Sequence, residues 1–123
     1  MSGPPVFPEH VELILSALHG RDAERAVTKA WLAMSTGLPT RQVEATIEHI
    51  RRESIALVAS GGEGYWVPAT LEEAEENIER RHSRAVRQMT TLQGERALIA
   101  RMRDAEAPER IERLSVWAAG AVA

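Results

Sequence analysis

The spacing of the apolar residues changes once along residues 9–67, and that change limits what this stretch can fold into. In its first part the apolar residues recur every three or four positions, which is the spacing of an amphipathic helix. Near residue 55 this spacing gives way to two short β-prone runs on either side of a glycine-rich turn. The sequence therefore predicts a small domain of helices closed by one β-hairpin.

Three helices are predicted before the hairpin. The first spans about residues 9–20, with Gly20 as its stop. Thr28 is a good N-cap for a short second helix that ends near Gly37, and a third helix is predicted over about residues 40–53. The apolar faces of the first and third helices are formed by Val11, Ile14, Leu15 and Leu18 and by Val43, Ile47 and Ile50.

The hairpin is predicted from residues 55–59 and 65–67, which are rich in β-prone side chains. Residues 60–64 read Ser-Gly-Gly-Glu-Gly and form the turn between them. Residues 1–8 carry three prolines and are predicted to be an extended N-terminal lead-in. The hairpin would therefore complete a domain that covers residues 9–68.

A long helix is predicted over residues 71–106, and residues 69–123 as a whole form a C-terminal helical extension. Thr70 and Glu73 have the spacing of a capping box. Gly94 leaves open whether the helix is continuous or breaks there, and a last short helix is predicted after Pro108. An apolar residue recurs every seven positions, which is half of a coiled-coil seam: Leu71, Ile78, Ala85, Leu92 and Ile99.

Composition excludes several classes of protein. A length of 123 residues suits one sizeable core, and a formal charge of −3 argues against a protein that binds through bulk positive charge. The absence of cysteine excludes thiolate metal sites and cysteine nucleophiles. The four histidines show no ligand spacing, and no motif arranges a catalytic triad. We therefore expect no enzyme activity, no cofactor, no metal and no small-molecule ligand.

Without a signal peptide or an apolar run of about 20 residues, a cytoplasmic protein without membrane contact is expected.

The order of elements resembles that of winged helix-turn-helix DNA-binding proteins of phages and other mobile elements. The matching segment is residues 27–67, where L-A-x-x-x-G-L begins at Leu32 and R-x-x-S-I-A-L-V-A-S-x-x-x-G-Y-W begins at Arg51. The resemblance implies a mainly α fold with a small β-hairpin wing, followed here by a long C-terminal helix. It also implies that the third helix enters the major groove of duplex DNA.

Helical geometry predicts which side chains of the third helix face DNA. With Val43, Ile47 and Ile50 turned inward, a mixed stripe of Arg, Gln, Glu and Ala lies on the other side. Residues near helix N-termini, the glycine turn and the basic part of the long helix would contact phosphates. The full set of predicted DNA-binding residues is Thr28, Lys29, Thr40, Arg41, Gln42, Glu44, Ala45, Glu48, His49, Arg52, Ser60, Gly62, Arg80, Arg81 and Arg84.

Charge is segregated along the long helix. Residues 72–79 carry only acidic charges, whereas residues 80–103 carry seven arginines and one glutamate. One interpretation is that the arginines extend the DNA contact. The other is that the helix pairs antiparallel with a second copy through its seven-residue apolar row, so that residues 72–79 meet 80–87 of the partner. A homodimer through the C-terminal helix is the preferred hypothesis.

Two functions remain open from the sequence. The first is sequence-specific binding of double-stranded DNA without catalysis, as a small transcriptional regulator or an accessory factor of recombination or replication. The alternative is a protein–protein interaction adaptor or inhibitor built on a winged helix, because residues 21–60 carry six basic and five acidic side chains. A steep loss of DNA binding with salt would favour the first function.

Overall fold

The structure is a computed structural model in which residues 3–105 are described. It divides into two compact units, one ending at Arg81 and one beginning at His82. The described chain is mainly helical, with one small antiparallel hairpin and a long C-terminal helix, as predicted. Its elements are α1 (Pro8–Leu18), a 3-10 turn (Ala23–Arg25), α2 (Lys29–Thr36), α3 (Thr40–Arg52), β1 (Ala59–Gly61), β2 (Gly64–Trp66) and α4 (Leu71–Ala105).

Local signals set the ends of the first three helices. Residues 3–7 precede α1 outside any helix or strand, and Gly20, just past its end, has a φ of +76°. The Thr28 hydroxyl accepts a hydrogen bond from the Trp31 N–H at 3.0 Å and so caps α2. Gly37 ends α2 in the left-handed conformation, with a φ of +78°. The predicted helices at residues 9–20, near 28–37 and at 40–53 are therefore confirmed.

One closed core holds the first unit together. It contains the apolar rows predicted for α1 and α3, together with residues of α2 and of the hairpin region. Removing these side chains from water supplies most of the driving force for folding, at roughly 25 cal/mol per Å² of apolar surface. The buried members are Ile14, Leu18, Val27, Leu32, Val43, Ile47, Ile50 and Val58.

The hairpin is shorter than predicted and begins four residues later. Ala59 pairs with Trp66 and Gly61 with Gly64, so that residues 62–63 form the turn. The strand predicted at 55–59 is wrong except at its last residue. One reason is that the Ile55 N–H donates to the Ile50 carbonyl, so that Ile55 lies in the turn just after α3 and not in a strand. The Val58 carbonyl is likewise taken by a side chain, because Arg51 donates to it from Nε and Nη2 at 3.0 and 2.8 Å.

Gly64 is required where β2 passes the segment between α1 and α2. Val27 and Tyr65 form an antiparallel bridge, with N–H to carbonyl bonds of 2.9 and 2.7 Å. Gly64 has a φ of +114°, and a Cβ there would stand 2.1 Å from the Val27 carbonyl oxygen. This contact leaves no room for any side chain.

The helix α4 is one continuous helix of 35 residues. The Thr70 hydroxyl accepts from the Glu73 N–H at 3.1 Å, and the Glu73 carboxylate accepts from the Ala69 N–H and the Trp66 indole. Gly94 does not interrupt α4, since one glycine costs a helix only about 1 kcal/mol. The helix predicted after Pro108 lies outside the described residues.

The first turns of α4 are in the first unit, which continues to Arg81. Ala74 and Asn77 are buried. The Asn77 side chain donates to the Ser60 carbonyl at 2.8 Å and accepts from the Ser60 N–H at 3.2 Å. A side-chain amide thus pairs with β1 as a neighbouring strand would. That attachment keeps residues 71–81 with the hairpin.

Candidate functional site

The exposed face of α3 is the candidate site, and the turn at Gly37 sets its position. The α2 helix ends at this glycine, and α3 begins at Thr40 with its apolar row turned into the core. Thr40 itself is exposed, at the first residue of α3. The face that remains outward carries exposed or half-exposed polar and small side chains, namely Arg41, Glu44, Ala45, Glu48, His49 and Arg52.

The charges on this face are largely paired with one another. Lys29 lies 2.6 Å from a carboxylate oxygen of Glu44, and this hydrogen bond raises the pKa of Lys29 above its ordinary value. Arg52 lies 3.0 Å from Glu48. Among the described residues, Arg41 makes no ion pair. It is therefore the cation of this face that is available to an outside anion.

The N-terminal segment lies across the same face. Residues 3–6 and the α3 face enclose a groove of about 520 Å³. A Cβ placed on Gly3 would contact the Ala45 Cβ at 3.7 Å. The segment is tied down at Pro5, whose carbonyl accepts from the Gln42 side-chain amide at 2.9 Å. Ala45, predicted to approach a base, is therefore partly covered in this conformation.

Gln42 is not available as a base-reading amide in this arrangement. Its side chain is buried, and besides Pro5 it contacts His10 Nδ1 at 3.2 Å and the Thr46 hydroxyl at 3.4 Å. The sequence pattern of α3 does not indicate this burial, because the covering residues come from the N-terminal segment. No spacing within α3 signals a partner 37 positions away.

The predicted phosphate contacts on the hairpin and at α2 differ in availability. Gly62 is exposed, with open space around it, and so could approach a phosphate closely. Ser60 is occupied, because its hydroxyl accepts from Arg51 at 2.9 Å and its backbone pairs with Asn77. The hydroxyl of Thr28 is used as the α2 cap. Gly62 is thus the predicted contact that the hairpin leaves open.

The predicted arginines of α4 also separate into two kinds. Arg80 and Arg84 are exposed. Arg81 is partly buried and donates from Nε to the Asn77 side chain at 2.9 Å. Burial lowers the pKa of Arg81, since desolvation disfavours the charged form.

The predicted oligomerisation row is on the surface of α4 in the single chain. All five members, Leu71, Ile78, Ala85, Leu92 and Ile99, are exposed. Val86 and Met89 are also large and exposed, and the seven-residue spacing did not include them. From residue 82 onward, Met102 is the only described side chain that is fully buried.

The predicted site residues do not include Arg51, which joins α3 to the hairpin. Its guanidinium binds the Val58 carbonyl and the Ser60 hydroxyl, and it lies 5.9 Å from the centre of the Tyr65 ring. Its position one residue past the Ile50 end of the apolar row is the signal that could have indicated a partly buried side chain. Two causes lower the pKa of Arg51, of which burial is the larger and the charge of Arg81 the smaller.

Comparison with known proteins yielded no match to a family model, to a curated protein or to a solved structure. Among the described residues, no helix combines the length and the apolar character needed to cross a bilayer. Within the same range, no three His, Asp or Glu side chains are grouped as metal ligands.

Proposed function

We propose that this chain is a winged helix-turn-helix protein that binds duplex DNA through α3, without catalysis. The observation that carries the proposal is Arg41, an unpaired arginine on the exposed side of the first turn of α3. This is the part of such a helix that lies nearest the bases in a major groove. We propose a cytoplasmic transcriptional regulator or an accessory factor of recombination or replication, of phage or mobile-element type.

The residue types on the α3 face suit a groove contact. Arg41 can donate two hydrogen bonds to O6 and N7 of guanine, and Ala45 is small enough to contact a thymine methyl. Arg80 and Arg84 would contact the phosphate backbone, because their charges are exposed. Gln42 has no part in this proposal, since its amide already binds the N-terminal segment.

Residues 3–6 would then act as a cover that duplex DNA displaces. They occupy the side of α3 that faces the groove in this proposal, and the Gln42–Pro5 hydrogen bond fastens them. One hydrogen bond is worth only about 1 kcal/mol net, so displacement is compatible with DNA binding. The cover would lower affinity for every DNA sequence alike.

The test is selection of a preferred duplex from random DNA, followed by affinity measurements on variants. Arg41→Ala should weaken binding to the selected duplex by about 1–3 kcal/mol and relax specificity at one position. Arg25→Ala is the matched control, because Arg25 is exposed on the 3-10 turn and lies off the α3 face. Deleting residues 1–6 should raise affinity for cognate and random duplexes alike.

Two outcomes would contradict DNA reading by α3. One is an equal loss of affinity by Arg41→Ala for cognate and random DNA, which would indicate a phosphate contact only. The other is the absence of any duplex binding at about 50 mM salt, where phosphate contacts are strongest.

We also propose that α4 forms a homodimer. Its exposed apolar row has no covering partner among the described residues, and such a row is typical of a helix-pairing surface. Two features of α4 favour different antiparallel registers. The apolar row is symmetric about Ala85, whereas the acidic and basic stretches meet between Glu79 and Arg80. We favour the register centred on Ala85, because apolar burial outweighs exposed ion pairs.

Single cysteines distinguish these registers, since the sequence contains no cysteine of its own. Ala85→Cys should form a disulfide-linked dimer readily under mild oxidation, and Ile78→Cys, on the same row but next to the charge-centred midpoint, should do so much more slowly. The reverse order would indicate the charge-centred register. Light scattering that shows a monomer at tens of micromolar would contradict the dimer.

One observation favours a second function, that of a protein–protein adaptor. Glu44 and Glu48 neutralise the cations beside them, so the α3 face carries little net positive charge. Charge of this kind dominates the affinity of proteins for DNA. Failure of the random-duplex selection, combined with a stable homodimer, would support the adaptor.

A further inference from the structure

A second cleft lies on the first unit, beside Arg51. It has a volume of about 500 Å³, and its walls come from the end of α3, the segment that leads to β1, and the first turns of α4. This size falls within the range of small-molecule sites, roughly 300–1,000 Å³. No residue of the α3 face lines it; of the residues predicted to contact DNA it includes Arg81, and it shares Ile78 with the apolar row of α4.

Two arginines line this cleft, and neither has an anionic partner within residues 3–105. Arg51 donates to the Val58 carbonyl and the Ser60 hydroxyl, and Arg81 donates to the Asn77 amide oxygen, all of which are neutral acceptors. Within the described residues, the three ion pairs of the chain lie elsewhere, on Lys29 and Arg52. Partly buried charges are normally paired, so two desolvated guanidinium groups side by side mark a place where an anion is favoured.

Apart from Ser54, the rest of the lining is apolar, and most of it is partly or largely exposed in the single chain. Ile55, Leu57 and Ile78 line it, and each leaves close to half of its surface exposed (46%, 48% and 45%). Soluble domains rarely expose three branched apolar side chains around one cleft. Contact with an apolar body attached to the anion would remove these side chains from water and so favour binding.

We propose that this cleft binds an organic acid, with its carboxylate or sulfonate held by Arg81 and Arg51 and its aliphatic or aromatic body against Ile55, Leu57 and Ile78. Among the described residues Arg81 donates only from Nε, which leaves both of its terminal nitrogens to bind the two oxygens of an acid. The apolar walls favour an acid of this kind over a nucleotide or a free phosphate. The proposal does not depend on DNA binding. In a homodimer paired through the apolar row of α4, Ile78 would contact the second copy, and Ile55 and Leu57 would hold the apolar body of the acid.

A pair of fluorescent dyes tests the charge and the apolar body separately. 1-Anilinonaphthalene-8-sulfonate carries the anion, and N-phenyl-1-naphthylamine has the same ring system without it. The full chain should bind the sulfonate saturably, with one dye per chain, and should bind the neutral dye at least about tenfold more weakly, since a charge-assisted hydrogen bond contributes that much or more. Dodecanoate should displace the sulfonate dye.

The decisive variant is Arg81→Gln, which keeps a polar side chain beside Asn77. It should weaken binding of the sulfonate dye by about tenfold and leave the neutral dye unchanged. Arg80→Gln is the matched control, because Arg80 is the adjacent exposed arginine and does not line the cleft. Circular dichroism of each variant would establish that the fold is retained.

Several outcomes would overturn the proposal. Equal affinity for the two dyes would show an apolar cleft without an anion site. An equal loss of sulfonate binding in both arginine variants would show general attraction to the basic stretch of α4. As a measurement independent of dye affinity, dodecanoate should shift the Nε–Hε NMR signal of Arg81 more than that of Arg80, and the reverse would contradict the assignment.

Discussion

The residues up to Arg81 and the part of α4 from His82 onward bury their apolar side chains to very different degrees. The first unit closes a core in which Ile14, Leu18 and Leu32 are completely buried. Between residues 82 and 105, Met102 is the only described side chain that is fully buried. Because helices in water owe most of their stability to packing, the first unit contains what it needs to fold. In the described part of the chain, the apolar row of α4 stays exposed.

The largest effect is expected from Gly64→Ala, which tests whether the first unit folds as a whole. The new Cβ would stand 2.1 Å from the Val27 carbonyl oxygen, at a φ of +114° that an alanine rarely adopts. The hairpin would have to leave the core, and we expect a loss of at least about 4 kcal/mol of unfolding free energy. Urea denaturation followed by tryptophan fluorescence measures it.

The matched control is Gly62→Ala in the same hairpin. Nothing lies within 4 Å of a Cβ at Gly62, so its effect should stay within about 0.5 kcal/mol. Equal effects of the two substitutions would mean that the bridge between β2 and Val27 is not part of the cooperative unit.

A pair of leucine substitutions measures the contrast between the two regions directly. Leu32→Ala removes a completely buried side chain and should cost about 3 kcal/mol at any protein concentration. Leu92→Ala removes an exposed side chain and should cost less than about 0.5 kcal/mol in a monomer. If α4 pairs with a second copy, the cost of Leu92→Ala should grow with concentration, whereas a fixed cost would contradict pairing at that residue.

Asn77→Ala tests where the first unit ends along α4. The substitution removes both hydrogen bonds to the Ser60 backbone and leaves that backbone without its partner, at an expected cost of about 1–3 kcal/mol. Gln88→Ala, at an exposed position beyond the boundary, should be neutral within about 0.5 kcal/mol. A neutral Asn77→Ala would move the boundary back towards residue 68.

The features that could be predicted from the sequence are those that depend on residues close by in the chain. Thr28 and Thr70 cap helices because each hydroxyl reaches an N–H three residues away, and Gly37 ends a helix through its own φ. The burial of Gln42 could not be predicted, since its acceptor is the carbonyl of Pro5. The start of β1 at Ala59 could not be predicted either, because the Arg51 side chain of α3 occupies the Val58 carbonyl.

The candidate site shows the same difference between features set by near neighbours in the chain and features set by distant residues. Periodicity correctly placed Arg41, Glu48 and Arg52 on the outside of α3, because the buried row fixes the rotation of the helix. Periodicity could not show that residues 3–6 lie on that face, since a proline-rich segment carries no periodic signal. The cleft beside Arg51 was missed for a related reason, as its walls come from three separate elements.

The smallest effect is expected from the Lys29–Glu44 pair, which lies on the surface of the first unit. The hydrogen bond to Glu44 raises the pKa of Lys29 in the folded state, so the pair stabilises the fold fully below the ordinary lysine value of about 10.4. That contribution is lost as the pH rises through the higher folded value. Denaturation midpoints of the wild type and of Lys29→Gln should therefore differ slightly at pH 7 and converge once the pH exceeds the raised pKa of Lys29. The Arg52–Glu48 pair is the control, since arginine stays charged and the effect of Arg52→Gln should persist at the higher pH. If the wild type stays more stable than Lys29→Gln by the same amount at every alkaline pH at which the protein folds, packing of the lysine stem rather than its charge stabilises this surface.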